Sequence, residues 1–264
     1  MAHHDTPLSR SLSIQARVVS ALLMREILTR FGRHNIGFLW IFFEPMMFTL
    51  GVLALWTMTK ATHGSTLPIT AFAVTGYSPV LLWRNCANRC ALAILPNQAL
   101  LYHRNVRVID FFFARLLLEI SGATMSFTFL TIFFIVAGMM HPPENMLMIF
   151  GAWLHLAAFG SGLALIIGAL SERSEAVERI WHTVAYLLFP LSGSLFMVSW
   201  LPEKFQKIIL LLPMVHGTEM LRGGYFGSLV TPHYSIPYMV FSDLILLLVG
   251  LYFVRDAGRR VEPE

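Results

Sequence analysis

The sequence predicts an all-α polytopic membrane protein with six transmembrane helices, and three observations carry that reading. Of its 264 residues, 56% are hydrophobic and only 13% are charged, with a mean hydropathy of +0.65. Soluble domains carry about 25% charged residues, so the chain needs an apolar solvent. The apolar residues gather into runs close to the roughly 20 residues that cross a bilayer as a helix. The basic residues, finally, fall mostly in alternate connectors between those runs.

Taken in order, residues 1–35 form a basic amphipathic segment. Ile14, Val18 and Leu22 recur at four-residue spacing among Arg10, Arg17, Arg25, Arg30 and Arg33. Such a helix lies along the cytoplasmic membrane surface or acts as a plain positive anchor. The first span is 38–59 and contains Glu44-Pro45. A carboxylate at that depth must face protein or water. The second span, 68–95, begins apolar and then carries Arg84, Asn85, Asn88 and Arg89. These side chains either snorkel to the interface or line an aqueous path, and their one-turn spacings allow a single polar stripe. Pro96 breaks the run, and Asn97 is a good helix N-cap. Residues 98–109 then read as a short helix with Leu100, Leu101, His103, Arg104 and Arg107, closed by Asp110.

The third span is 111–140, where Arg115 and Glu119 stand one turn apart, as an intrahelical pair or facing a partner. A tight turn at 141–145 leads to the fourth span, 146–170. Its Gly160, Ala164 and Gly168 recur every fourth residue and let a neighbouring helix approach closely. Residues 171–179 are a polar connector with Glu175 and Arg179 at helical pair spacing, and the fifth and sixth spans are 180–198 and 237–254.

Residues 202–227 are different. Pro202 and Pro213 bracket about ten residues, roughly 15 Å of helix and half of what a bilayer needs. A second short helix after Pro213 is ended by Gly223-Gly224. Both pieces carry charge: Glu203, Lys204 and Lys207, then Glu219 and Arg222. Short, charged, broken helices are tolerated at membrane depth only inside protein or beside a wet cavity. The segment is therefore either a re-entrant hairpin lining a translocation path or a pair of amphipathic helices on the outer surface. His216 and Glu219, three apart, either cap the hairpin or relay a proton.

Six spans place both termini on one side. With that side cytoplasmic, Lys60, Lys204, Lys207 and Arg222 are the outer basic residues, and the other fifteen of the nineteen lie inside. The positive-inside bias supports this orientation. No phosphate-binding Gly-x-x-x-x-Gly-Lys-[Ser/Thr] loop, zinc-protease or nucleophile-elbow motif occurs, so no cofactor or metal is expected on this chain. Cys86 and Cys90 are too few for a disulfide framework or a metal site. Trp40, Tyr77, Trp83, Trp181, Trp200 and Tyr225 serve as an interfacial belt or as platforms for sugar rings.

The run Arg30-Phe-Gly-Arg-His-Asn-Ile-Gly-Phe-Leu-Trp40, followed by Glu44-Pro45, resembles the start of the first span in type-2 ABC exporters. The run from Leu212 to Phe226, Leu-Pro-Met-Val-His-Gly-Thr-Glu-Met-Leu-Arg-Gly-Gly-Tyr-Phe, is similar to the capsular polysaccharide export permeases of Gram-negative bacteria. The connector Ser-Glu-Arg-Ser-Glu-Ala-Val-Glu-Arg departs from the family's pattern. The resemblance implies the ABC-2 (type V exporter) fold and a homodimeric, non-catalytic permease in the bacterial inner membrane. It implies two copies of a separate ATPase, which carry the ATP and Mg, and a coupling helix at 96–110 including Asn97, Leu100, Leu101, His103, Arg104 and Arg107. It also implies a periplasmic gate at 202–227 with Pro202, Pro213, His216, Glu219 and Arg222. A periplasmic adaptor (polysaccharide co-polymerase), an outer-membrane channel and a lipid-linked acidic polysaccharide complete the implied set, with no nucleic acid. Alternative cargoes are O-antigen, another glycolipid, or a small lipid or drug, and a membrane enzyme acting on lipid-linked sugars is the competing class. An acidic polymer needs cations along a low-dielectric path. Arg84, Asn88, Arg89 and Arg222, with Trp40, Tyr77, Trp83 and Tyr225, are the residues expected there.

Overall fold

The computed structural model describes residues 8–31, 39–59, 67–102 and 105–261. The described residues form helices and connectors without strands. The helices are α1 (Leu8–Phe31), α2 (Trp40–Thr59), α3 (Ile69–Cys90), α4 (Val108–Val136), α5 (Met146–Ser171), α6 (Glu175–Leu191), α7 (Glu203–Ile209), α8 (Pro213–Phe226) and α9 (Ile236–Val261). A 3₁₀ segment, Leu95–Tyr102, joins α3 to α4. By length and composition, α4, α5 and α9 can each cross a membrane, and α2 contributes a shorter apolar stretch, Phe43–Met58.

α5 is the centre of the bundle, packed against α3, α8 and α9. Its small residues explain why. A Cβ on Gly160 would lie 2.7 Å from the Trp83 Cα, and one on Gly168 would meet Phe112 and, at 2.5 Å, the Cys90 carbonyl. On the opposite side, a Cβ on Gly162 would fall 2.6 Å from Leu246, and one on Gly250 of α9 would fall 2.7 Å from Leu165. The four-residue repeat thus sets the crossing with α3, while Gly162 and Gly250 set the crossing of α5 with α9. Phe127 and Trp153 stack at 4.7 Å between α4 and α5, and the Trp153 indole donates to Thr124 Oγ1 at 2.9 Å.

Several boundaries differ from expectation for identifiable reasons. α4 starts at Val108, not 111, because Asp110 Oδ2 accepts from the Arg107 amide at 2.8 Å and caps the new helix. Asp110 therefore opens α4 and does not close a helix over 98–109. α6 starts at Glu175, inside the expected connector. There the Ser174 hydroxyl accepts from Ala176 N, and Glu175 and Glu178 sit in the first turn. α6 then stops at Leu191, seven residues short of 198, ahead of Gly193 in the left-handed region. α8 runs through Gly223-Gly224 and ends at Gly227, whose φ is +53°. The paired glycines serve close packing instead: a Cβ on Gly224 would be 3.0 Å from the Asn145 carbonyl.

Candidate functional site

At the end of the bundle where α1 lies, carboxylates and arginines from four helices meet. α1 half-buries the side made by Ile14, Val18, Leu22, Glu26 and Arg30 and packs against α4. Glu26 pairs with Arg115 at 3.2 Å and Arg30 pairs with Glu119 at 2.5 Å. Gln15 bonds Asp110 on the same face. Arg115 and Glu119 are thus partners of α1 and not of each other. Glu119 also lies 4.0 Å from Arg89, which pairs with Glu44 at 2.8 Å, and the Glu44 side chain itself stays exposed. Arg115 donates at 2.7 Å to the Arg89 carbonyl at the end of α3. This collar joins α1, α2, α3 and α4.

The 3₁₀ segment and the turn before it are tied to the end of α5 and to α1. Glu172 Oε1, just beyond α5, accepts from the amides of Ile94 at 2.9 Å and Leu95 at 3.2 Å, and Ser171 Oγ accepts from Leu92 N at 2.9 Å. Asn97 is not a helix N-cap. Its amide group donates to the Ala93 carbonyl at 2.8 Å and its oxygen accepts from Arg25. Asn97 and Leu101 are buried, so they anchor the segment to its own chain, while Leu100 is half-buried and Arg107 is exposed. His103 and Arg104 lie outside the described residues. The outward face is made by Leu95 and Tyr102, which is 80% exposed. The sequence reading missed both, because periodicity in an eight-residue 3₁₀ stretch does not tell which face turns inward.

The polar residues of α3 divide. Arg84 and Asn88 share a small cavity with His182 and Tyr186 of α6. The Arg84 guanidinium lies 5.6 Å from the Phe48 ring centre and 5.7 Å from that of Phe189. Its Nε is buried without a hydrogen bond, and among the described residues no carboxylate pairs with it. Asn88 Oδ1 accepts from the Trp181 indole at 2.8 Å, and Asn88 also lines the cavity. Arg89, five residues after Arg84, is rotated by about 140° and faces Glu44 and Glu119 instead. There are two polar patches where the sequence reading allowed one stripe.

At the other end, α8 wedges between α3, α5 and α9, and α7 packs beside the turn at 198–200. Pro213 begins α8, where a missing amide hydrogen costs nothing. Its carbonyl faces His155 Nε2 at 3.0 Å, while His155 Nδ1 faces Asp243 of α9 at 2.8 Å. Pro202 precedes α7 as its N-cap. His216 Nδ1 accepts from the Ser235 amide at 3.0 Å, so its Nε2 carries the hydrogen donated to the Leu210 carbonyl at 2.8 Å. Glu219 accepts from the amides of Val198 and His233, both at 2.9 Å. Neither residue bonds the other, and each satisfies backbone groups in and around the hairpin.

Arg222, expected on the cargo path, is fully enclosed. Its guanidinium donates to the carbonyls of Gly193 (2.5 Å), Phe196 (2.6 Å) and Ser194 (2.7 Å) and lies 3.7 Å over the Phe72 ring. The turn after α6 exposes several carbonyls in one direction, and a planar fork of donors satisfies them together. Tyr77, Trp83 and Tyr225 are likewise core residues. Tyr77 packs on Trp56 and Phe189, Trp83 on α5, and the Tyr225 hydroxyl donates to His141 O at 2.5 Å. Trp40, by contrast, is 61% exposed at the start of α2.

Comparison with known proteins agrees with this architecture. Residues 17–226 match the ABC-2 type transporter family. The chain is 46% identical over 263 residues to the capsule polysaccharide export inner-membrane protein CtrC of Neisseria meningitidis serogroup B, covering 100% of this chain and 99% of the relative. It is 44% identical over 260 residues to the capsule polysaccharide export inner-membrane protein BexB of Haemophilus influenzae, covering 98% of each. The polysialic acid transport protein KpsM of Escherichia coli is 27% identical over 245 residues, with 92% of this chain and 94% of the relative covered. Matched from α1 to the end of α8 by one family and over 98–100% of its length by CtrC and BexB, the chain belongs to the ABC-2 type transporters.

Proposed function

We propose that this chain is the permease subunit of an ATP-driven exporter that moves capsular polysaccharide across the bacterial inner membrane. The observation that carries the reading is the 46% identity to CtrC over the whole chain. α2, α3, α4, α5, α6 and α9 are the six spans, with both termini cytoplasmic. The pair α7–α8 enters from the periplasmic side as the gate. In support, the C-terminal end of α8 meets Asn145 at the start of α5, while Pro213 at its N-terminal end meets His155, about 15 Å further along α5.

The cargo is a lipid-linked acidic polysaccharide, and Arg84 and Asn88 meet it in the cavity beside His182 and Tyr186. A guanidinium with aromatic neighbours but no carboxylate partner is suited to a carboxylate or phosphate that binds and leaves, since no resident anion competes. Arg89 stands at the cytoplasmic mouth, held by Glu44. The permease works as a homodimer with the path between two copies, near the exposed Phe48, Tyr186 and Trp40. Two ATPase subunits carry ATP and Mg and dock on the 3₁₀ segment through Leu95 and Tyr102. A periplasmic adaptor and an outer-membrane channel continue the route.

Export and subunit capture test this. A tagged chain recovered from its native membrane should bring an ATP-hydrolysing subunit with it, and its deletion should abolish surface polysaccharide. Arg84→Ala should lower surface polysaccharide at least tenfold while leaving the amount of folded protein unchanged. Normal surface polysaccharide in the deletion strain overturns the proposal, as does ATP turnover by the purified chain alone.

A further inference from the structure

A cavity of about 380 Å³ opens between the start of α4 and the end of α9. Its floor is apolar, with Ile109, Leu251 and Val254, and its rim carries three arginines, Arg107, Arg255 and Arg259. All three arginines are exposed, and among the described residues no carboxylate pairs with any of them. Arg255 and Arg259 stand one turn apart on α9, a like-charge pair that disfavours the helix unless an anion sits between them. The nearest acid in sequence, Asp256, is already shared by Arg173 and by Arg260 at 3.1 Å. Elsewhere at this end Arg30, Arg89 and Arg115 each have a carboxylate.

We infer that this cavity binds one anionic phospholipid, with the phosphodiester among Arg107, Arg255 and Arg259 and an acyl chain along Leu251, Val254 and Ile109. The arrangement matches the two halves of such a lipid. The α9 residues Leu251, Arg255 and Arg259 share one helix face, so the row passes from apolar to cationic along the axis. That is the order a lipid presents from its tails to its headgroup. Basic pockets between transmembrane helices at the cytoplasmic interface suit anionic headgroups, each arginine contributing about 1 kcal/mol near the surface. A zwitterionic lipid brings its own cation and gains little there. The site stands apart from Arg84, and nothing in its chemistry requires cargo.

The test is native mass spectrometry of the purified full chain, in the complex it forms, titrated with phosphatidylglycerol or phosphatidylcholine. The wild type should retain phosphatidylglycerol preferentially. The Arg255→Gln/Arg259→Gln double variant should weaken that binding roughly 25-fold, about fivefold per arginine removed. Arg107→Gln should weaken it about fivefold, and Arg10→Gln/Arg17→Gln on exposed parts of α1 should leave it unchanged. Equal retention of the two lipids overturns the inference, and so does undiminished binding by the double variant. Displacement by glycerol phosphate as effective as by phosphatidylglycerol also overturns it, because the free anion would then be the ligand. The readout is lipid retention, so it can fail while export stands.

Discussion

Arg222 and Glu219 in the α7–α8 hairpin are held by main-chain carbonyls and amides, whereas Arg30, Arg89 and Arg115 in the α1 collar are held by carboxylates on other helices. The difference is mechanical as well as electrostatic. Backbone partners are fixed in direction by the turn that presents them, so α8 and the turn after α6 form one body. Side-chain partners sit on long rotatable stems, and Arg89 already reaches two carboxylates at 2.8 and 4.0 Å. A pair of that kind can exchange partners as helices slide. The hairpin is tied by partners of fixed direction, and the collar by partners on adjustable side chains.

Substitutions can break or sharpen this contrast, and the largest effect belongs to the hairpin. Arg222→Ala strands several buried carbonyls at about 1–3 kcal/mol each, so the loss should reach about 3 kcal/mol or more. Thermal unfolding in detergent should show it, and a wild-type melting curve would remove the basis for calling the hairpin rigid. Glu219→Ala leaves the amides of Val198 and His233 unbonded and should cost about 2 kcal/mol by the same measurement. In the collar, Glu119→Gln removes the charge faced by Arg30 and Arg89 and should cost about 1–2 kcal/mol. It should also speed proteolysis within α1. Raising salt to 1 M shrinks the screening length to about 3 Å. That should loosen α1 in the wild type and leave the hairpin's melting unchanged; equal salt sensitivity at both ends would erase the distinction. The smallest effect should come from Glu175→Ala. Its pair with Arg179 at 3.3 Å is about 80% exposed on both sides, and the change should stay within about 0.5 kcal/mol.

Much of the fold was legible because it follows from composition and small-residue spacing. The repeat Gly160, Ala164, Gly168 announced a close crossing, and α3 duly packs there. Glu44 had to face protein or water, and it is exposed and paired with Arg89. The candidate site was less legible. Arg84, Arg89 and Arg222 look alike in a sequence, yet one faces a small cavity, one sits in an ion-pair collar and one is a buried fork. Hydropathy weighs them equally, and only the direction of each side chain separates them. The capping role of Asp110 was hidden for a similar reason, because a lone acid after a polar loop marks a helix start or a helix end equally well.

The sequence by itself determined the class of the protein and most of its helical segments, because burial in lipid is a property of composition summed over a window. It also carried the family, through runs at both ends of the chain. The tertiary structure alone decided which charges are spent on the fold and which are left facing a cavity. That choice depends on what each side chain meets from helices far away in the chain, such as the turn at 193–196 that claims Arg222. A one-dimensional pattern does not contain those meetings.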